Sequence, residues 1–256
     1  MTPLLDVRGL SKRFGGVQAV KDVSFQVRAG TVKALIGPNG AGKTTLFNLV
    51  SGVAAPDAGA VLFRGAPIQG QPAHRVAAHG LSRTFQHIRL FAGMTALENV
   101  MVGRHTRTRA GFVAGMLHLP WTWREERQVQ ARAREALDFM GISELADADA
   151  TSLSYGQQRA VELARALAAE PELLLLDEPA AGLNMRETAE LAKLVRRIRE
   201  RGITVLIVEH DMGLVMNVSD EVVVLSYGEK IADAEPRIVQ KDPEVIRIYL
   251  GEEEAA

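Results

Sequence analysis

Cysteine is absent from the 256 residues, which excludes disulfides and thiolate metal sites. No charge of one sign dominates: 30 basic residues stand against 31 acidic ones, a net charge of −1. That balance argues against a broad nucleic-acid-binding face and leaves room only for a local patch. Long apolar runs are missing too. The longest, such as Leu173 to Leu176 and Ile203 to Val208, fall far below the ~18 residues a membrane span needs. Met1-Thr2-Pro3-Leu4-Leu5-Asp6 meets a charge at once, unlike a signal peptide. Internal repeats and low-complexity segments are absent as well. The expectation is a soluble, cytoplasmic protein.

Apolar residues are plentiful, at 47% of the chain, enough for a sizeable core in one α/β domain or two small ones. The most informative stretch is Gly37-Pro38-Asn39-Gly40-Ala41-Gly42-Lys43-Thr44-Thr45. It fits G-x-x-x-x-G-K-[ST], a phosphate-binding loop. Val32 to Ile36 before it reads as a short buried strand, and Leu46 to Val50 after it as the first turns of a helix ended by Gly52. The glycines let the backbone bend so that N–H groups point at phosphate oxygens, and the helix start adds its own N–H groups. Lys43 supplies a full charge to the outer phosphates, and the Thr44 hydroxyl can ligate Mg²⁺. The loop implies a nucleoside triphosphate.

Residues 4 to 35 read as antiparallel strands, with a turn at Arg28-Ala29-Gly30. Phe14 beside Gly15-Gly16 is either a core ring in a hairpin or a flat ring for a base to stack on. Asp57-Ala58-Gly59 signals a turn before a strand at Val61 to Phe63. Ala73 to Gly80 reads as a short helix and Leu81 to Phe85 as a strand with Gln86 at its end. From about 87 to 160 the pattern is helical. Thr95 and Glu98 have the spacing of a capping box, and Arg124 to Met140 is a charged helix with Val129, Ala133, Ala136, Leu137 and Met140 near one face. The apolar insert Gly111 to Trp123 packs on its own subdomain or faces a partner. Beyond it, Leu173 to Leu176 reads as a parallel strand covered on both faces, and Ile203 to Val208 as another buried strand. A helix carries Leu191, Leu194, Val195 and Ile198 on one face. A last helix spans Pro243 to Leu250, and the acidic tail Gly251 to Ala256 reads as frayed.

In an open α/β sheet, ligands bind at the carboxyl edge of the strands. Asp177 and Glu178 follow four leucines at such an edge, where the phosphate loop also leaves its strand. Asp177 suits Mg²⁺ through its water shell. Glu178 suits proton removal from an attacking water, an effect typically worth ~10²–10⁴ in rate. His210 follows the next buried strand and points to a γ-phosphate contact. Gln86, at the junction with the helical segment, can touch the metal or its water. Ser154, Tyr155, Gly156 and Gln157 start a helix, a second anion site about 110 residues from the first. Read alone, that start is an ordinary helix cap.

Taken together and in this order, these motifs resemble the ATP-binding subunit of an ABC transporter, over nearly the whole chain. Gly37 to Thr45 matches the family's Walker A, Gln86 its Q-loop, Leu153 to Gln157 its signature, Leu173 to Glu178 its Walker B, and His210 its switch histidine. Phe14 falls where the family places the aromatic that stacks on adenine. The resemblance implies an α/β, P-loop NTPase fold: a mostly parallel sheet flanked by helices, an N-terminal antiparallel β-subdomain and an inserted α-helical subdomain. The boundaries expected are 1–85 and 161–256 for the core and 86–160 for the helical part. It also implies ATP and Mg²⁺ as cofactors, and a head-to-tail pair holding ATP between Walker A of one subunit and the signature of the other. The partners implied are permease membrane subunits, a second ATP-binding subunit and, indirectly, a periplasmic solute-binding protein, with no nucleic acid. The chain would then sit on the inner face of the cell membrane through the permease, with the segment around His87 to Gly93 facing it.

Ala181-Gly182-Leu183-Asn184 departs from the Ser-Ala-Leu-Asp of many family members, so Asn184 brings no charge to any coupling between two sites. A finer resemblance is to importer ATPases for branched-chain amino acids. It rests on Lys12 to Gly16, Asn99 to His105, the insert Gly111 to Trp123 and the ending Val245 to Glu253. Cousins serving urea, or lipopolysaccharide export, share several of these. An ABC ATPase working on nucleic acid or ribosomes is a further alternative, as is a regulator that binds ATP without hydrolysing it. Two fused cassettes or a long coiled coil, usual in the former, are absent here; Glu178 and His210 speak against the latter.

Overall fold

The computed structural model describes residues 3–86, 88–107 and 120–250. The chain forms two compact units, Met1–Gln86 with Glu172–Ala256, and His87–Pro171. The first unit begins with β1 (Leu5–Phe14), β2 (Val17–Val27), β3 (Val32–Ile36), α1 (Lys43–Val50), β4 (Ala58–Phe63), β5 (Ala66–Pro67), α2 (Ala73–Ala78) and β6 (Leu81–Arg83). The second unit holds α3 (Ala96–Val102), α4 (Pro120–Met140) and α5 (Tyr155–Ala168). The chain then returns to the first with β7 (Leu173–Asp177), α6 (Met185–Glu200), β8 (Thr204–Val208), α7 (Met212–Val218), β9 (Glu221–Ser226), β10 (Glu229–Ala234), α8 (Pro236–Val239) and α9 (Pro243–Leu250).

Two sheets build the first unit. One is antiparallel, in the order β2-β1-β4-β5. The other runs β10-β9-β3-β8-β7-β6, parallel except where β10 meets β9. Every residue of β3, β7 and β8 is buried. That is why their sequences are largely apolar, with the buried Lys33 of β3 paired to Glu221 and Asp233: helices or strands cover both faces, and each buried leucine contributes about 1.5–3 kcal/mol before entropy is subtracted. Phe47 of α1, Phe63 of β4, and Leu5 and Leu10 of β1 fill the core shared by the two sheets.

Two expectations change here. Val32–Ile36 joins the parallel sheet, not an antiparallel one. The Asp57-Ala58-Gly59 turn is already strand from Ala58, because Gly59 (φ +89°) passes close beside β1; a Cβ there would stand 2.4 Å from the Gly9 carbonyl oxygen.

In the second unit α3, α4 and α5 pack through Leu97, Val100, Ala133, Ala136, Leu137, Val161 and Ala164. Thr95 caps α3 in the expected box with Glu98. Asn99, fully buried, accepts from the Phe91 N–H at 2.8 Å and donates to the carbonyls of Phe91 and Thr95, which fastens the loop ahead of the helix. The unit runs to Pro171, beyond the boundary expected at 160, because α5 is one unbroken helix whose far end, through Ala168, still belongs to the helical core. The insert Gly111 to Trp123 lies outside the described residues except for its end, where Trp123 is exposed. The tail Gly251 to Ala256 and His87 also lie outside them. Among the described residues no helix is long and apolar enough to cross a membrane.

Candidate nucleotide and catalytic site

The parallel sheet sets the site by register. β3, carrying the phosphate loop, lies between β9 and β8; β7 and β6 follow beyond β8. Asp177 pairs with Val208, and Leu35 with Val208 from the other side. The residues after these positions therefore leave the same edge: the loop from Gly37, Glu178, and Glu209-His210. Arg83 pairs with Leu175, which brings Gln86 to that edge as well.

Two glycines of the phosphate loop leave no room for a Cβ. Gly37 adopts φ +150°, and a Cβ there would stand 2.1 Å from the Leu225 carbonyl oxygen. At Gly42 (φ +99°) it would stand 2.3 Å from the Ala19 carbonyl oxygen. Lys43 Nζ donates to the carbonyls of Gly37 (2.6 Å) and Pro38 (2.9 Å), which holds the ammonium inside the loop. Asn39, Gly40 and Thr44 are exposed, and Ala41 and Thr45 are at least partly covered. No side chain caps α1, whereas Thr95, Ser154, Asn184 and Asp211 cap α3, α5, α6 and α7. A helix start without its own cap, wrapped by a positive-φ loop and a lysine, fits a polyphosphate.

At the ends of β6 and β7 the side chains interlock. Gln86 Nε2 donates to Glu178 Oε2 at 2.7 Å. Glu178 itself holds a left-handed φ of +47°, an uncommon conformation for a residue with a Cβ, and its N–H donates to the Val208 carbonyl. Asp177 is buried, and its Oδ2 accepts from Arg83 Nη2 at 2.7 Å. The hydroxyl of Thr44, the amide of Gln86 and the carboxylate of Asp177 are hard oxygen donors of the kind Mg²⁺ takes.

His210 is exposed, with Nδ1 4.0 Å from Glu209 Oε2. Glu209 is fully buried. Its Oε1 accepts from the Ala180 N–H (2.7 Å), and its Oε2 from the N–H groups of His210 (3.1 Å) and Asp211 (3.4 Å). Burial pushes the Glu209 carboxyl above its ordinary value, and these backbone bonds oppose the shift. One carboxylate thus joins the turn after Glu178 to the segment bearing His210. Phe14 is 54% exposed at the end of β1, which removes the core reading of that ring, and Lys12 Nζ stands 5.5 Å from its centre.

The second helix start is in the helical unit. Ser154 caps α5 in a box with Gln157, as an ordinary cap does, while Ser154, Tyr155 and Gly156 stay exposed. Asn184 caps α6, accepting from the N–H groups of Arg186 (3.0 Å) and Glu187 (3.1 Å). Sequence reasoning missed Arg83 and Glu209. A lone arginine in a strand, or an acid beside a histidine, carries no periodic signal; only the structure shows what each one holds.

Known proteins resemble this chain in sequence and in fold. The ABC transporter family matches residues 20–181, and the branched-chain amino acid ATP-binding cassette transporter family matches residues 229–255. The chain is 45% identical over 251 residues to the high-affinity branched-chain amino acid transport ATP-binding protein BraF of Pseudomonas aeruginosa, covering 98% of each. It is 44% identical to the protein LivG of Escherichia coli (strain K12), described in the same words, again over 98% of each. Among solved structures it is similar to the ADP conformation of MJ1267, an ATP-binding cassette of an ABC transporter, with a TM-score of 0.84 and 33% identity over 98% of this chain and 100% of that one. With the family matched across most of its length and relatives of this identity spanning nearly all of it, the chain belongs to the ATP-binding cassettes of the ABC transporter family.

Proposed function

We propose that this chain binds and hydrolyses ATP to drive import of branched-chain amino acids through separate membrane subunits. The observation that carries the chemistry is the convergence of the phosphate loop, Gln86, Asp177, Glu178 and His210 on one edge of the parallel sheet. The choice of solute is supported by the relatives matched over 98% of the chain and by the match at residues 229–255.

In this reading the open first turn of α1 and the loop amides hold the β- and γ-phosphates. Lys43 exchanges its loop carbonyls for phosphate oxygens. Phe14 offers its ring to the base. Thr44, Asp177 and Gln86 would hold Mg²⁺ or its water shell, and the ion would neutralise charge on the terminal phosphates. Glu178 takes a proton from, or orients, the attacking water, and His210 contacts the γ-phosphate. Ser154, Tyr155, Gly156 and Gln157 close over the γ-phosphate held by a second ATP-binding subunit. The surface around residues 88–93 meets the permease, and a periplasmic binding protein delivers the solute.

The test is reconstitution in liposomes with the cognate permease subunits and binding protein. Leucine uptake that requires ATP and is abolished by Lys43→Ala is expected. Uptake indifferent to ATP, or ATP-driven uptake of urea but not leucine, contradicts the proposal.

A further inference from the structure

Arg83 is a heavily committed cation near the site. Its side chain is buried, and its guanidinium reaches three acceptors on two elements: Asn48 Oδ1 (2.7 Å) and Ser51 Oγ (2.9 Å) through Nη1, and Asp177 Oδ2 (2.7 Å) through Nη2. Two rings flank it, Phe47 at 5.6 Å and Phe85 at 5.3 Å from the guanidinium carbon. Its Nε is buried without a hydrogen-bond partner among the described residues. A buried ion pair whose Nε–H is left unbonded is a poor way to add stability. Its value lies in where it places its partners.

Those partners bracket the proposed metal donors. Asn48 and Thr44 are four apart on α1, so they lie on one face of the helix. By gripping Asn48, Arg83 fixes the face that carries the Thr44 hydroxyl. By occupying Oδ2 of Asp177, it leaves Oδ1 as the oxygen free to turn toward a metal's water shell. One planar fork therefore sets the spacing between a donor on α1 and a donor at the end of β7. A lysine ammonium is a compact point charge and lacks the planar fork that holds these partners at two separate nitrogens.

We propose that Arg83 is a positioning residue for the Mg²⁺ that accompanies ATP. It touches neither nucleotide nor metal, and acts by orienting Asp177 and the Thr44 face of α1. The inference rests on the ATPase reading above. Outer-shell partners of this kind typically carry 10–100-fold of metal affinity.

The test uses the full-length chain and its Arg83→Met and Arg83→Lys variants. Binding of a fluorescent ATP analogue is measured without divalent cation. Mn²⁺ binding to the ATP-loaded protein is then followed by electron paramagnetic resonance. In Arg83→Met, metal-free nucleotide affinity is expected to stay within about twofold of wild type, while Mn²⁺ binding weakens about tenfold or more. Arg83→Lys is expected to fall between the two. A folded Met variant with wild-type Mn²⁺ affinity overturns the proposal. Should Arg83→Met fail to fold, Arg83→Lys decides alone, and wild-type metal affinity there overturns it equally. A wild-type chain that binds no ATP analogue at all defeats the ATPase reading itself. Normal nucleotide and metal binding with indifferent variants defeats only the role of Arg83.

Discussion

Gln86 Nε2 and Glu178 Oε2 lie 2.7 Å apart, so the amide that ends the first segment of the core grips the carboxylate proposed to act on water. The bond orients Glu178 without adding charge beside it. Replacing Gln86 by alanine removes that bond and leaves the carboxylate free to swing. Turnover of Gln86→Ala is expected to fall by about 10²-fold, the cost of a misplaced catalytic group. Steady-state ATPase assays measure it. Turnover equal to wild type contradicts the orienting role of Gln86.

Buried Glu209 gives a pH signature. Desolvation raises its folded-state pKa above the unfolded value of 4.5. Between those two values the folded chain holds a proton that the unfolded chain has released. Its contribution is therefore most favourable on the acid side and is lost as pH rises through the window. Urea unfolding of wild type and Glu209→Gln over a pH series is expected to show wild type losing ground to the variant as pH climbs from the ordinary carboxylate range. A gain for wild type over the same window contradicts the assignment.

Much of this was legible beforehand because the physics is local. An apolar run covered on both faces announces a parallel strand, and Gly37, Gly42 and Lys43 carry their chemistry in their own backbone and charge. The capping box at Thr95 needs only residues three apart. What stayed hidden depends on distant pairing. Arg83 meets Asn48, Ser51 and Asp177 from 35, 32 and 94 residues away, and a three-residue strand has no period to betray it. The end of the helical unit was misplaced because a motif, not a packing boundary, was the visible marker within α5.

Asn184 performs the task of a helix cap, accepting from two N–H groups at the start of α6. Asn184→Ala is expected to cost about 1 kcal/mol of stability, and Asn184→Asp to change it by less than about 0.5 kcal/mol, since both residues cap well. Denaturant midpoints decide this. A large loss in Asn184→Asp contradicts the cap as its main structural role.

In the helical unit, Asn99→Ala removes the partner of the Phe91 N–H and of the Phe91, Met94 and Thr95 carbonyls at a fully buried position. A loss of about 1–3 kcal/mol is expected. Thermal unfolding of the full chain checks it, and an unchanged midpoint contradicts the pinning of this loop by Asn99.

The most direct measurement compares wild type with Glu178→Gln, which keeps the shape of the side chain and removes its ability to accept a proton as a carboxylate. ATP affinity within a few-fold of wild type, with turnover reduced by ~10²–10⁴, is the predicted result. Turnover equal to wild type would contradict the account at its centre.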